Sequence, residues 1–154
     1  MNRITRAIKL YSATVGPLGF IPFAPGTFGS IPGILIAWAL GFFPVFYSSL
    51  ILFLFFLFSV YVADKASKIL MKNDPSQIVI DETLGMTISL FSIKMNFQIM
   101  LLAFILFRFF DIVKPFPIRR LEHMFKGGLG IVIDDAFAGL MVNILIQLVI
   151  FLLG

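Results

Sequence analysis

Residues 81–111 read DETLGMTISLFSIKMNFQIMLLAFILFRFFD, and how this stretch sits in a membrane decides the fold. It begins on the acidic pair Asp81 and Glu82 and ends on Arg108 and Asp111, with an almost wholly apolar interior. As one span, rising ~1.5 Å per residue across a ~30 Å hydrocarbon core, it would put those two charged ends on opposite sides. The interior is broken by Lys94 and Asn96, and a hairpin turning near Ser92 to Asn96 brings both ends to the same side. Legs of roughly 9 and 13 residues are too short to cross hydrocarbon, so the hairpin is expected to dip partway in or to pack inside a helical bundle.

Working outward, the remaining apolar runs agree with a lipid environment. Of 154 residues 60% are hydrophobic, above the ~45–50% of soluble domains. The mean hydropathy is +1.04. Twenty Phe against one Trp and three Tyr mean that most aromatic surface has no polar edge to satisfy, which suits acyl chains. A short basic amphipathic helix is expected over residues 2–15, followed by the turn-rich GPLGFIPFAPGTFGS. Residues 31–43 and 46–63 form a second helical hairpin, divided by Pro44, and residues 136–153 are long enough for one span. Gly16, Pro17, Gly19, Pro22, Pro25 and Gly26 interrupt the apolar stretch that a cleaved signal peptide needs, so no cleavage is expected. The expected fold is all-α: a compact bundle of membrane-embedded helices and helical hairpins, one domain over residues 1–154, with a polar site on the cytoplasmic face.

That face follows from the cations. Arg3, Arg6 and Lys9, then Lys65, Lys68 and Lys72, then Lys114, Arg119, Arg120 and Lys126 form three clusters, all cytoplasmic by the positive-inside rule. No stripe of basic and aromatic residues accompanies them, so nucleic acid is not an expected partner; the bilayer and a membrane phospholipid are. The absence of Cys excludes disulfides, thiolate ligands and cysteine-nucleophile phosphatases. His123, the single histidine, lies beside Lys126 in a polar stretch and reads as a surface residue, which argues against a histidine-pair mechanism.

Charged residues make up only 13% of the chain, and five of the eight acids fall in three short motifs: Asp81 with Glu82, Asp111, and Asp134 with Asp135. A buried carboxylate is costly without a cation, and hard divalent ions such as Mg2+ take oxygen ligands, so a metal site is the economical account. Helix capping and pairing with Lys or Arg is the structural alternative. Arg108 and Asp111, three residues apart, share a helix face, and Pro115 ends that helix at or before Lys114. Arg108, Lys114 and Arg119 are suited to phosphate oxygens. PGTFGS at residues 25–30 reads either as a turn with Ser30 as N-cap or as a backbone and hydroxyl cradle for an anion, through Thr27 and Ser30. IVIDE at residues 78–82 and IVIDD at 131–135, each followed by a glycine, form an internal echo that brings two carboxylates to an expected helix start.

Four motifs in order, PGTFGS at 25–30, IVIDETLGM at 78–86, FRFFDIVKPFPIR at 107–119 and GGLGIVIDDAFAG at 127–139, resemble the phosphatidylglycerophosphatase A family. The resemblance implies hydrolysis of the terminal phosphate monoester of phosphatidylglycerophosphate, dependent on Mg2+, at the cytoplasmic face of a bacterial inner membrane. It carries functional interest onto Thr27, Ser30, Asp81, Glu82, Arg108, Asp111, Lys114, Arg119, Asp134 and Asp135. Ile80 and Phe116 stand where the family often has Trp.

Such hydrolysis needs up to ~10²¹-fold acceleration, so charge neutralisation dominates the expected mechanism. Asp81, Glu82, Asp134 and Asp135 are expected to hold one or two Mg2+, with Asp111 as a further ligand or the base. Direct attack by an aspartate remains an open alternative at this stage. Two other classes stay in view: a divalent-ion carrier or channel lined by the same acids, and a Mg2+-dependent phosphatidyl-group transferase.

Overall fold

The computed structural model describes residues 2–116, 118, 120 and 124–153. Among them are six helices and no strand: α1 (Arg3–Ala13), α2 (Pro25–Leu40), α3 (Val45–Leu70), α4 (Ile80–Ser89), α5 (Phe97–Val113) and α6 (Gly127–Leu153), with one 3₁₀ turn at Leu18–Phe20. The all-α bundle expected from the sequence is present. The decisive stretch is a hairpin: α4 and α5 are separate helices joined near Ser92, which takes a left-handed backbone with φ 58°. Asn96 opens α5 by accepting the Ile99 N–H at 2.8 Å. Lys114 closes it in a left-handed conformation, φ 45°, just before Pro115.

α4 lies inside the bundle. Eight of its ten residues, from Ile80 to Ser89, are buried, so this ten-residue helix, ~15 Å long, is shielded by protein rather than by lipid. Ile80 and Leu84 join Val62, Ala66 and Val132 in one core cluster, while Met86 and Leu90 join Phe107, Val142 and Ile146 in another. α2 and α6 flank it, and both approach closely through glycine. The Thr83 hydroxyl donates to the Gly29 carbonyl at 2.6 Å and the Thr87 hydroxyl to that of Gly33 at 3.2 Å. A side chain on Gly139 would overlap the Gly85 carbonyl, and one on Gly85 would meet the Phe107 ring and the Asp135 carbonyl. Small residues let helix backbones come together where hydrophobic segregation from lipid gives no drive. The free carbonyls at the end of α4 are met by Asn143, whose amide donates to Phe91 at 2.9 Å and Ile88 at 3.1 Å.

Two expectations about boundaries are corrected. PGTFGS is the first turn and a half of α2, not a turn before it: Pro25 stands where a missing N–H costs nothing, and Ala24 makes the bend with φ 44°. Ser30 is therefore interior, fully buried and donating to the Gly26 carbonyl at 2.8 Å, rather than an N-cap. Likewise α6 starts at Gly127, nine residues before the expected 136, so Asp134 and Asp135 sit inside a helix and not at its start. Gly128 serves as a helix contact, since a side chain there would overlap the Val60 carbonyl and Asp64 on α3.

α3 and α6 are each long and apolar enough to cross a membrane. Their outer faces expose Phe53, Leu54, Leu57 and Phe58 on one and Leu148, Val149 and Phe151 on the other, surfaces that acyl chains would cover. α1 packs along α3 with Arg6 reaching the Ile69 carbonyl, and leaves Ile4, Ile8 and Tyr11 outward.

Candidate active site

Three helix segments converge on one polar point. The first turn of α4 supplies Asp81 and Glu82, the last two turns of α5 supply Arg108 and Asp111, and α6 supplies Asp134 and Asp135 from its interior. Phe107, fully buried, wedges its ring where Gly85 has no side chain, and that fixes the neighbouring Arg108 over the α4 acids. Carboxylate oxygens of Asp81, Glu82 and Asp135 all lie within 4.8 Å of one another. Arg108 Nη1 is 2.5 Å from Asp111 Oδ2 and 4.0 Å from Glu82 Oε1. Lys114 Nζ is 2.5 Å from Asp134 Oδ2. Its left-handed backbone turns it off the end of α5 back toward α6, a strained conformation of the sort found at functional positions.

These groups line a cavity of about 190 Å³: Asp81, Glu82, Asp111, Lys114, Asp134 and Asp135, joined by Asp74 and Ser76 from the loop before α4. Asp74 and Ser76 were not expected at the site; they belong to no motif, and the polar loop between α3 and α4 was their only signal. Thr27 and Ser30 do not line it. The Ser30 hydroxyl donates to the Gly26 carbonyl at 2.8 Å and the Thr27 N–H to that of Ala24 at 2.9 Å. Their motif contributes Gly26 instead, packed so closely on Glu82 and Arg108 that any side chain there would collide with both. Arg119 and His123 lie outside the described residues.

The five acids of the three motifs, with Asp74 beside them, outnumber the two cationic side chains, Arg108 and Lys114. Burial pushes the Asp81 carboxyl well above the usual carboxylate range, reinforced by Glu82 and Asp135 beside it. Glu82 is raised to about 7, chiefly by burial, with Asp111 adding and Arg108 opposing. A carboxyl raised in the folded state contributes stability that is fully present below its unfolded value and is lost as pH rises through the folded one. Thermal melts of metal-stripped protein in detergent should therefore show stability falling as pH rises from about 5 to about 8.

Several buried polar atoms here lack hydrogen-bond partners among the described residues: Asp81 Oδ1, Glu82 Oε2 and Arg108 Nε. The Arg108–Asp111 pair is close without the alignment of a hydrogen bond at Nη1. Orphaned acceptors facing one another are a place for a hard cation, and an orphaned guanidinium N–H is a place for an anion.

The family model for phosphatidylglycerophosphatase A matches residues 11–150, a range containing all of these groups. The chain belongs to the phosphatidylglycerophosphatase A family. Members from Escherichia coli and Haemophilus influenzae, both named phosphatidylglycerophosphatase A, are 37% and 41% identical over 122 and 124 residues. Each alignment covers 79% of this chain, and 71% and 76% of the respective relatives. A protein of Bacteroides thetaiotaomicron, provisionally named a phosphatidylinositol-3-phosphatase, is 38% identical over 144 residues, covering 88% of this chain and 89% of its own. No solved structure matches the chain at a significant level. Family membership accounts for four motifs that are far apart in the chain and three of which meet in one cavity.

Proposed function

We propose that this chain is a Mg2+-dependent lipid phosphatase that removes the terminal phosphate monoester of phosphatidylglycerophosphate, giving phosphatidylglycerol for phospholipid synthesis. The observation that carries the reading is the convergence of Asp81, Glu82, Asp135 and Lys114 around one small cavity, with Arg108 directly behind Glu82 and Asp111. The donor set suits the ion: hard carboxylate oxygens with Asp81 Oδ1 and Glu82 Oε2 uncommitted, and no soft ligand. Asp81, Glu82 and Asp135 would hold it, with Asp134 adjacent. When bound, Mg2+ supplies charge neutralisation of the phosphoryl group and lowers the pKa of a coordinated water.

The protein's own groups do the rest. Arg108, behind Glu82 and Asp111, supplies a guanidinium for the equatorial oxygens of the phosphoryl group, and Lys114 adds a point charge from the cavity wall. Asp111, against Arg108, holds the guanidinium in place and is also within the cavity as an acceptor for a water proton. Burial of α4 and the close packing of Gly26 on Glu82 and Arg108 limit the solvent around these charges, which strengthens each of them.

The location supports a lipid substrate. The site lies at the end of the bundle where α3 finishes with Lys65 and Lys68 and where Lys72, Lys114 and Lys126 gather, which by the positive-inside rule is the cytoplasmic face of the bacterial inner membrane. A carrier or channel would instead need its acids along a path at mid-depth. A phosphatidylinositol 3-phosphate substrate is the second reading, favoured by the Bacteroides relative. Phosphate release by purified protein from the two lipids, in matched micelles, decides between them. We expect kcat/KM to favour phosphatidylglycerophosphate by at least about ten-fold, or ~1.4 kcal/mol of transition-state binding. The reverse preference would reassign the substrate, and release from neither would sink the phosphatase reading.

A further inference from the structure

Beside the active-site cavity is a larger one, about 700 Å³, between the C-terminal turn of α3 and the N-terminal turn of α6. The two cavities share Asp74, Ile131 and Asp134 in their linings, so they are direct neighbours. Their charge differs. In the smaller, acids outnumber the one lysine, Lys114, whereas in the larger Lys68, Lys72 and Lys126 balance Asp64, Asp74 and Asp134. Lys68 is engaged by Asp64 at 2.7 Å, but Lys72 and Lys126 are exposed and have no acidic partner among the described residues. Gly127 and Gly130 bring the N-terminal turn of α6, the positive end of its dipole, to the same wall. Met71, 89% exposed, and Phe125 give the cavity an apolar edge.

The volumes separate two tasks. A space of about 190 Å³ is below the ~300–1,000 Å³ usual for whole ligands and suits a phosphate with its ion, while 700 Å³ accommodates a headgroup. Both lipids considered above share one chemistry: a phosphodiester joined through a polyol, glycerol or inositol, to the phosphate monoester that is cleaved. With the monoester in the acidic cavity, the diester anion falls toward the neighbouring cavity, where Lys72 and Lys126 carry no acidic partner among the described residues.

We propose that the larger cavity is the subsite for the phosphodiester of the lipid headgroup, with Lys72 and Lys126 as its specificity-determining cations, an inference that rests on the phosphatase reading. It explains how the enzyme would tell such a lipid from phosphatidic acid, whose monoester sits directly on diacylglycerol with no diester to engage the lysines.

The test uses the double variant Lys72→Gln/Lys126→Gln beside Lys72→Arg/Lys126→Arg. Calorimetric binding of phosphatidylglycerol, which keeps the diester and lacks the monoester, should weaken about ten-fold in the glutamine variant and stay within about two-fold in the arginine variant. In turnover, the kcat/KM preference for phosphatidylglycerophosphate over phosphatidic acid should fall about ten-fold through KM, and so should any preference for phosphatidylinositol 3-phosphate. Unchanged phosphatidylglycerol binding in the glutamine variant, or an equal loss on phosphatidic acid and the two-phosphate lipids, would overturn the subsite. If the wild-type protein hydrolyses none of these lipids, the phosphatase reading fails, and the phosphatidylglycerol binding comparison still decides whether the lysines hold a diester.

Discussion

Asp81→Asn and Asp135→Asn should each lower phosphate release by at least about 10³-fold while leaving the thermal midpoint of the metal-stripped protein unchanged or raised. The two halves of that result have one cause. Both carboxyls are buried and face each other and Glu82 within 4.8 Å, so in the absence of a cation each opposes the folded state. Asparagine keeps the shape, removes the charge and so removes the desolvation cost. It also removes the ligand that a divalent ion needs. Asp81 lies in the first turn of α4, where a negative charge gains about 0.3–1 kcal/mol from the helix dipole, a smaller term than the burial it suffers. If these acids were helix caps or structural ion-pair partners only, the variants would lose stability and retain activity. Paired measurements of phosphate release and thermal unfolding in detergent distinguish the two patterns.

Gly139→Leu should abolish both fold and activity. A side chain at this position enters the Gly85 carbonyl of α4, which is backbone and has nowhere to go, since α2 packs on the other side of α4 through Gly29 and Gly33. The helices must separate, and with them Asp81 and Glu82 from Asp135. Even Gly139→Ala should cost about 1–3 kcal/mol, the range for overpacking a filled core, and leucine more. Set against a total stability of ~5–15 kcal/mol, that is a large fraction. Gly41→Ala is the control: Gly41 has an ordinary helical φ of −63° and a new side chain meets only carbonyls of its own helix, the nearest that of Trp38 at 3.2 Å, so its effect should be far smaller than that of Gly139→Ala. Thermal unfolding of the three variants checks the ranking.

The parts of this structure that could be read from the sequence are those where a charge interrupts a greasy run. Lys94 and Asn96 placed the hairpin between α4 and α5, and with it the meeting of Glu82 and Arg108. Pro115 placed the end of α5 and hence Lys114. Glycine was harder to read. In PGTFGS it reads as turn chemistry, but Gly26 and Gly29, like Gly128, are sites of close approach inside or at the start of helices, a use that depends on partners far away in the chain. That is why Ser30 was expected as a cap and is buried against Gly26, and why Asp134 and Asp135 were expected at a helix start. Asp74 and Ser76 join the site through the fold of a loop and carry no periodic or motif signal. The echo between residues 78–82 and 131–135 turned out to be spatial as well, since α4 and α6 pack on one another through Gly85 and Gly139.

The central claim is that the carboxylate cluster serves a divalent ion in hydrolysing a lipid phosphate monoester. Phosphate release from phosphatidylglycerophosphate by purified protein, titrated with Mg2+ after chelation, tests it most directly. Release that is absent in chelator, rises and saturates with Mg2+, and is lost in Asp81→Asn is the predicted result. Undiminished release in chelator, or full release by Asp81→Asn, would contradict it.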